Sequence, residues 1–178
     1  MNMRVAEGDK ARDFSVTDIF GSRISLGDFE GRKTLLSFYR YASCPLCNLR
    51  IRQLIKELPG LSKKGLAVLA FFESPKGSIK RYICRQDVPF PMIADPERQI
   101  YRLYGVESSW LGFLKGCVRP ALFESVLVHG FMPGRMEGDK ALLPADFLIG
   151  PDLTVSRAYY GRDAGDHVPV NEIQEFLA

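Results

Sequence analysis

The chain has 178 residues, 46% hydrophobic and 25% charged, with a formal net charge of +3. That apolar content is too high for a disordered chain, and the length suits one domain with a sizeable core. So small a charge neither argues for nucleic acid nor excludes a locally basic patch, and no apolar run approaches bilayer length.

The N-terminal residues lack the apolar run of a secretory signal, which favours the cytosol. Short alternation in 14–16 and 23–26 flanks the turn signal Phe20-Gly21-Ser22 and predicts a β-hairpin. Residues 33–39 form an apolar run of strand length. Beyond Cys44-Pro45, the apolar side chains of Cys47, Ile51, Leu54, Ile55 and Leu58 recur at helical spacing, and Pro59-Gly60 reads as the helix end. Residues 65–72 are almost continuously apolar, as in a strand covered on both faces. A second helix should follow Ser74-Pro75, turning Ile79, Tyr82 and Ile83 inward. A short strand over 89–93 and a short helix over 96–104 come next.

Residues 108–143 break this rhythm and read as a helical insertion, with an amphipathic helix over 120–131. Its Trp110, Phe113, Leu114, Phe123 and Phe131 could cover a site, form a homodimer interface or pack on the core, and core packing is the expectation. Strands over 146–149 and 153–159, split by Gly150-Pro151-Asp152, then form a hairpin, and residues 170–177 a closing helix. Asp166 is expected to serve the entry of that helix, and His129 to be a helix-end or loop residue. The alternation of strands and helices predicts an α/β fold with parallel strands and right-handed crossovers, in one domain spanning 1–178.

Four cysteines are present: Cys44, Cys47, Cys84 and Cys117. In a reducing compartment a close pair reads as redox or metal chemistry rather than as a structural disulfide. Cys44 and Cys47 fall where a strand gives way to a helix. The unpaired amides and partial positive charge of a first helical turn stabilise a thiolate there. Pro45 suits that turn, and Arg40 and Arg50 could add positive potential. Two thiols at this spacing can close and reopen a disulfide, transferring two electrons. A zinc site normally takes four ligands, and with only two histidines, His129 and His167, it would need sharing between subunits, so neither metal nor cofactor is expected.

Several stretches resemble the peroxiredoxin-like branch of the alkyl hydroperoxide reductase/thiol-specific antioxidant family. They are the segment from Glu7 to Phe14, Phe38-Tyr39-Arg40, Cys44-Pro45-Leu46-Cys47-Asn48-Leu49, the run from Val88 to Pro96, and that from Pro144 to Asp152. The resemblance implies a thioredoxin-like fold with an N-terminal hairpin, thiol-based redox activity, a hydroperoxide or disulfide substrate, and a thiol donor such as thioredoxin, glutaredoxin or glutathione. Aligned on Cys47, the family's proline and its threonine or serine are replaced by Arg40 and Cys44, and its later active-site arginine by Pro144. The same residues resemble glutaredoxin-type Cys-Pro-x-Cys sites, which implies a cis peptide bond at Pro144. Two chemistries follow. In disulfide exchange Cys44 attacks and Cys47 resolves. In peroxide reduction Cys47 attacks and Cys44 resolves, with Cys84 as an alternative resolving thiol of atypical two-cysteine type. Cys117 reads as a packing residue or an incidental thiol, and a binding module with idle cysteines is the competing class.

Overall fold

The computed structural model describes residues 4–178. A hairpin of β1 (Ser15–Thr17) and β2 (Arg23–Ser25) precedes the main sheet. The chain continues through β3 (Thr34–Tyr39), α1 (Pro45–Lys63), β4 (Ala67–Phe72), α2 (Lys76–Tyr82), β5 (Met92–Ala94), α3 (Gln99–Leu103), α4 (Trp110–Cys117) and α5 (Pro120–Phe123). It closes with β6 (Ala145–Ile149), β7 (Val155–Tyr160) and α6 (Val170–Phe176). The sheet order is β5-β4-β3-β6-β7. β3, β4 and β5 run parallel, while β6 lies antiparallel to both β3 and β7. The expected α/β architecture, with its N-terminal hairpin and late insertion, is what forms.

The unbroken hydrophobicity of β3 and β4 follows from burial on both faces. Leu35, Tyr39, Val68, Ala70 and Phe72 pack toward α1, α2 and α6. Leu36, Phe38, Leu69 and Phe71 point the other way, among Phe14, Tyr101, Tyr104 and Phe147. The two polar residues in these strands are Thr34 and Ser37, both fully buried.

Three expectations change. First, α1 does not stop at Pro59 but runs a further turn to Lys63. Proline removes one amide donor and strains the turn before it, and burial of Leu61 on the far side offsets this. The helix ends instead in a Schellman motif, with Gly65 N bonded to Ser62 O (2.9 Å) and Leu66 N to Leu61 O (3.2 Å). Second, the insertion does not bury its large side chains. Trp110, Leu111, Leu114 and Phe123 are each about 60% exposed. The main chain of α4 sits too close to the body for them: a Cβ on Gly116 would collide with Ala164. Only α5 begins the expected helix over 120–131, which continues as a wide turn through Glu124–Val128. Third, Asp166 does not cap α6, whose preceding residue is Pro169. Its carboxylate accepts from Tyr159 Oη and Arg162 N, both at 2.8 Å, and so closes the loop before the helix.

Candidate functional site

β3 lies between a parallel neighbour, β4, and an antiparallel one, β6. The carboxyl ends of β3 and β4 lie side by side, and strand carboxyl ends are the usual place for a site in an open α/β sheet. The chain leaves Tyr39, turns through 40–43 and enters α1 with Cys44 as the residue before the first helical turn and Pro45 in it. The turn is pinned from several directions. Ala42 N donates to Ser74 Oγ (2.9 Å), and Asn48 Nδ2 donates to Ala42 O (2.8 Å) and Cys44 O (2.9 Å). Ser43 Oγ donates to Arg135 O in the insertion (2.8 Å).

Cys44 is 1% exposed and Cys47 0%, and both are free thiols. Their environments are unequal. The Cys44 thiol is lowered to about 6, first by the hydrogen bond that the Cys47 thiol donates to its sulfur; burial opposes this, and Arg40 and the backbone of Cys47 and Leu46 reinforce it. Cys47 is pushed well above the ordinary thiol range, by burial first and then by the same hydrogen bond and the neighbouring Cys44 charge. Within the pair, negative charge is therefore favoured on Cys44 and the proton on Cys47.

Arg40 supplies the cation. Its Nη1 lies 3.5 Å from Cys44 Sγ, its Nε donates to Leu142 O (2.9 Å) and its Nη2 to Lys140 O (2.6 Å). The guanidinium sits between the rings of Tyr41 and Phe113, 5.0 and 5.1 Å from their centroids. It is buried, yet among the described residues no carboxylate lies within ion-pair distance of it. The Cys44 sulfur is the anion that balances it. The insertion thus aims the arginine, through carbonyls at 140 and 142.

A cavity of about 280 Å³ opens above Cys44. Its walls are apolar apart from Arg40 and include Tyr41, Phe113, Leu122, Met132 and Met136, with Cys117 on one side. The rim is held to the body by a polar latch. Ser74 Oγ and Ser78 Oγ each donate to Glu137 at 2.6 Å. Asp139 N donates to Glu73 Oε1 (2.7 Å), and Arg98 pairs with both Glu73 (3.3 Å) and Asp139 (2.9 Å).

Of the residues picked out from sequence, Cys44, Cys47 and Arg40 meet. Pro144 does not line the cavity, and its peptide bond is trans, since no cis bond occurs among the described residues. The approach to β6 is held extended by Arg40 on Leu142 O and by Leu143 N on Glu107 O (3.1 Å), a path that a trans bond completes. Cys84 packs half-buried against the α1-side core, with its thiol raised by burial and partly offset by Lys80. Arg50 turns away from Cys44 and donates to Val168 O (2.7 Å). His129 lies 3.6 Å from Glu124, in keeping with a helix-end position.

Sequence reasoning missed a buried polar group centred on β6. Asp146, fully buried on β6, accepts from Val168 N (2.7 Å) and Ser37 Oγ and faces His167 Nδ1 (2.9 Å). Burial opposes its charge, but His167, Arg50 and Ser37 together hold the carboxyl below its usual range. The signal was an aspartate inside an otherwise apolar strand. Among the described residues no group of three or more His, Cys, Asp or Glu could hold a metal ion, and no helix is long and apolar enough to cross a membrane.

The AhpC/TSA family profile matches residues 7–158. The chain belongs to the AhpC/TSA family. Among the relatives of this AhpC/TSA chain, a Mycobacterium tuberculosis protein described as a peroxiredoxin is 29% identical over 102 residues, 57% of this chain and 65% of the relative. The match thus spans less than two thirds of that relative's length. Peroxiredoxin Bcp of Escherichia coli K12 is 30% identical over 107 residues, covering 59% of this chain and 69% of its own. In fold, a structure from Chlorobium tepidum described as the thiol:disulfide interchange protein DsbE superposes with a TM-score of 0.68 at 21% identity, over 98% of this chain and 99% of that one. Peroxidoxin BcpB of M. tuberculosis gives 0.62 at 16% identity, over 96% and 95%. Both structural likenesses show a shared thioredoxin-like fold.

Proposed function

We propose that the chain is a thiol-based oxidoreductase in which Cys44 is the attacking sulfur and Cys47 the resolving one. The observation that carries this is geometric: Cys44 precedes the first turn of α1, faces the cavity and has Arg40 Nη1 3.5 Å from its sulfur, in keeping with a thiol lowered at Cys44 and raised at Cys47. The Cys44 thiolate attacks one sulfur of a substrate disulfide, forming a mixed disulfide and expelling the other sulfur as a thiolate. Negative charge then leaves Cys44, and the Cys47 thiol loses the thiolate that raised its pKa. Cys47 gives up its proton, attacks Cys44 Sγ and releases the second substrate thiolate. Two electrons have passed to the substrate and a Cys44–Cys47 disulfide remains, to be reduced by a donor of the thioredoxin, glutaredoxin or glutathione class. A donor of that class operates in a reducing compartment, so the reading goes with a cytoplasmic setting.

Kinship to proteins described as peroxiredoxins favours a second reading, reduction of a hydroperoxide. The pair's asymmetry gives the attacking role to Cys44 here as well, rather than to Cys47. The Cys44 thiolate would take the terminal peroxide oxygen, becoming a sulfenic acid and releasing an alcohol or water. Condensation with Cys47 would yield the same disulfide and a second water.

A Cys47→Ser variant separates these readings. Incubated with glutathione disulfide, it should accumulate an adduct mapped to Cys44 by peptide mass spectrometry. Adducts confined to Cys84 or Cys117 would remove the assignment. Oxidation of wild type by hydrogen peroxide or cumene hydroperoxide faster than that of free cysteine, with a dimedone-trapped sulfenic acid on Cys44 of the variant, would select peroxide reduction.

A further inference from the structure

A second cavity, of about 450 Å³, opens along α1 next to the thiol cavity. Arg50 and Lys56 project to it from α1, Arg119 from the start of α5, and His167 from the loop before α6. Glu57 is the one carboxylate in its lining. Asp163 is already engaged with Arg119 at 2.8 Å, and Asp146 behind the wall is engaged with His167, Val168 and Ser37. Arg119 is thus balanced by Asp163, which leaves Arg50 and Lys56 with Glu57 as the one carboxylate in the wall.

Two polar atoms here are buried without a partner among the described residues: Arg50 Nε and His167 Nε2. The His167 side chain is 3% exposed. An arginine Nε is always a donor, so it calls for an acceptor. His167 turns Nδ1 to the Asp146 carboxylate, which makes Nε2 an acceptor in the neutral ring and a donor in the imidazolium. Buried polar atoms of this kind are rarely left unpaired. Both belong to side chains of the cavity wall, on the side where positive charge exceeds negative.

We propose that this cavity binds a small organic anion through a carboxylate or phosphate group, held by the guanidinium groups of Arg50 and Arg119 and the ammonium of Lys56. Guanidinium forks match the paired oxygens of both groups. The site does not depend on the redox reading. Leu46 lines both cavities, so the occupant sits one side chain away from the space above Cys44.

The test is calorimetric titration of the reduced protein with sodium phosphate and, separately, sodium glutarate, against sodium chloride at matched ionic strength. Saturable binding of one anion per chain is expected with at least one probe; phosphate alone or glutarate alone identifies the favoured group. A Lys56→Gln/Arg119→Gln variant, changed at side chains open to solvent, should bind about tenfold or more weakly with an unchanged circular dichroism spectrum. The imidazole NMR signal of His167, assigned by removing the other histidine with His129→Gln, should shift on saturation. No saturable heat with either probe, equal affinity in the double variant, or an unmoved His167 signal would overturn the proposal.

Discussion

Removing the Arg40 guanidinium should raise the Cys44 pKa while leaving the chain folded. At 3.5 Å and an effective dielectric of about 20, a unit charge pair is worth about 5 kcal/mol, an upper bound because water and side chains relax once the cation is gone. An opposite charge at such range typically moves a pKa by about one to three units. Starting from about 6, the Arg40→Gln variant should therefore titrate between about 7 and 9. At pH 7 the thiolate share would fall from roughly nine in ten to about one in ten at a midpoint near 8. The assay is the pH dependence of iodoacetamide alkylation at Cys44, read by peptide mass spectrometry, with thiolate ultraviolet absorbance as a check. Arg40→Lys keeps the charge but loses the fork that grips Leu142 O and Lys140 O, so its midpoint should fall between those of wild type and Arg40→Gln. If both variants keep the wild-type midpoint, Arg40 is not the counter-charge and the electrostatic account of the site fails.

Further outcomes follow from the same coordinates. Cys47→Ala, which deletes the donor to Cys44 Sγ, should raise the Cys44 midpoint, while Cys47→Ser should raise it less because a hydroxyl can still donate; equal midpoints would contradict the hydrogen bond. Burial raises the Glu73 carboxyl to about 7, outweighing the Asp139 amide and Arg98. The folded state then binds this proton more tightly than the unfolded one, so Glu73's contribution to stability is full below the ordinary carboxylate pKa and is lost as pH rises through about 7. Urea denaturation should show that slope, and Glu73→Gln should flatten it. Gly138 has φ +65°, and a Cβ there would collide with the Glu73 carboxylate; Gly138→Ala should cost about 1–3 kcal/mol in chemical denaturation. Asp146→Asn should cost about 3–5 kcal/mol, because it uncovers the His167 and Arg50 side chains it balances.

Elements whose identity rests on local pattern were legible in the sequence. The continuous apolar runs of β3 and β4, the helical spacing after Cys44 and the turn at Phe20-Gly21-Ser22 each name their element without tertiary help. The placing of Cys44 before the first turn of α1 was legible for the same reason. What depended on distant chain was not. Pro59 looked like a stop because the gain from burying Leu61 cannot be read locally. The direction of Arg40 is set by carbonyls 100 and 102 residues away, and that clamp also holds the approach to Pro144, where family likeness implied a cis bond. The apolar insertion read as core, because sequence records hydrophobicity but not the close approach of Gly116 to Ala164 that turns those side chains outward. The Asp146 group needed β3, β6 and the loop before α6 together, although an aspartate within Ala145–Ile149 was a cue in plain view.

The near-complete enclosure of the Cys44 sulfur makes molecular shape, and not only electrophilicity, decide which oxidants it meets. The sulfur faces a cavity of about 280 Å³ with Met132 and Met136 in its wall, and the neighbouring stretch is tied down at Glu137 and Asp139. On the proposed chemistry, the firmness of that anchoring sets how large an oxidant can be and still reach the sulfur.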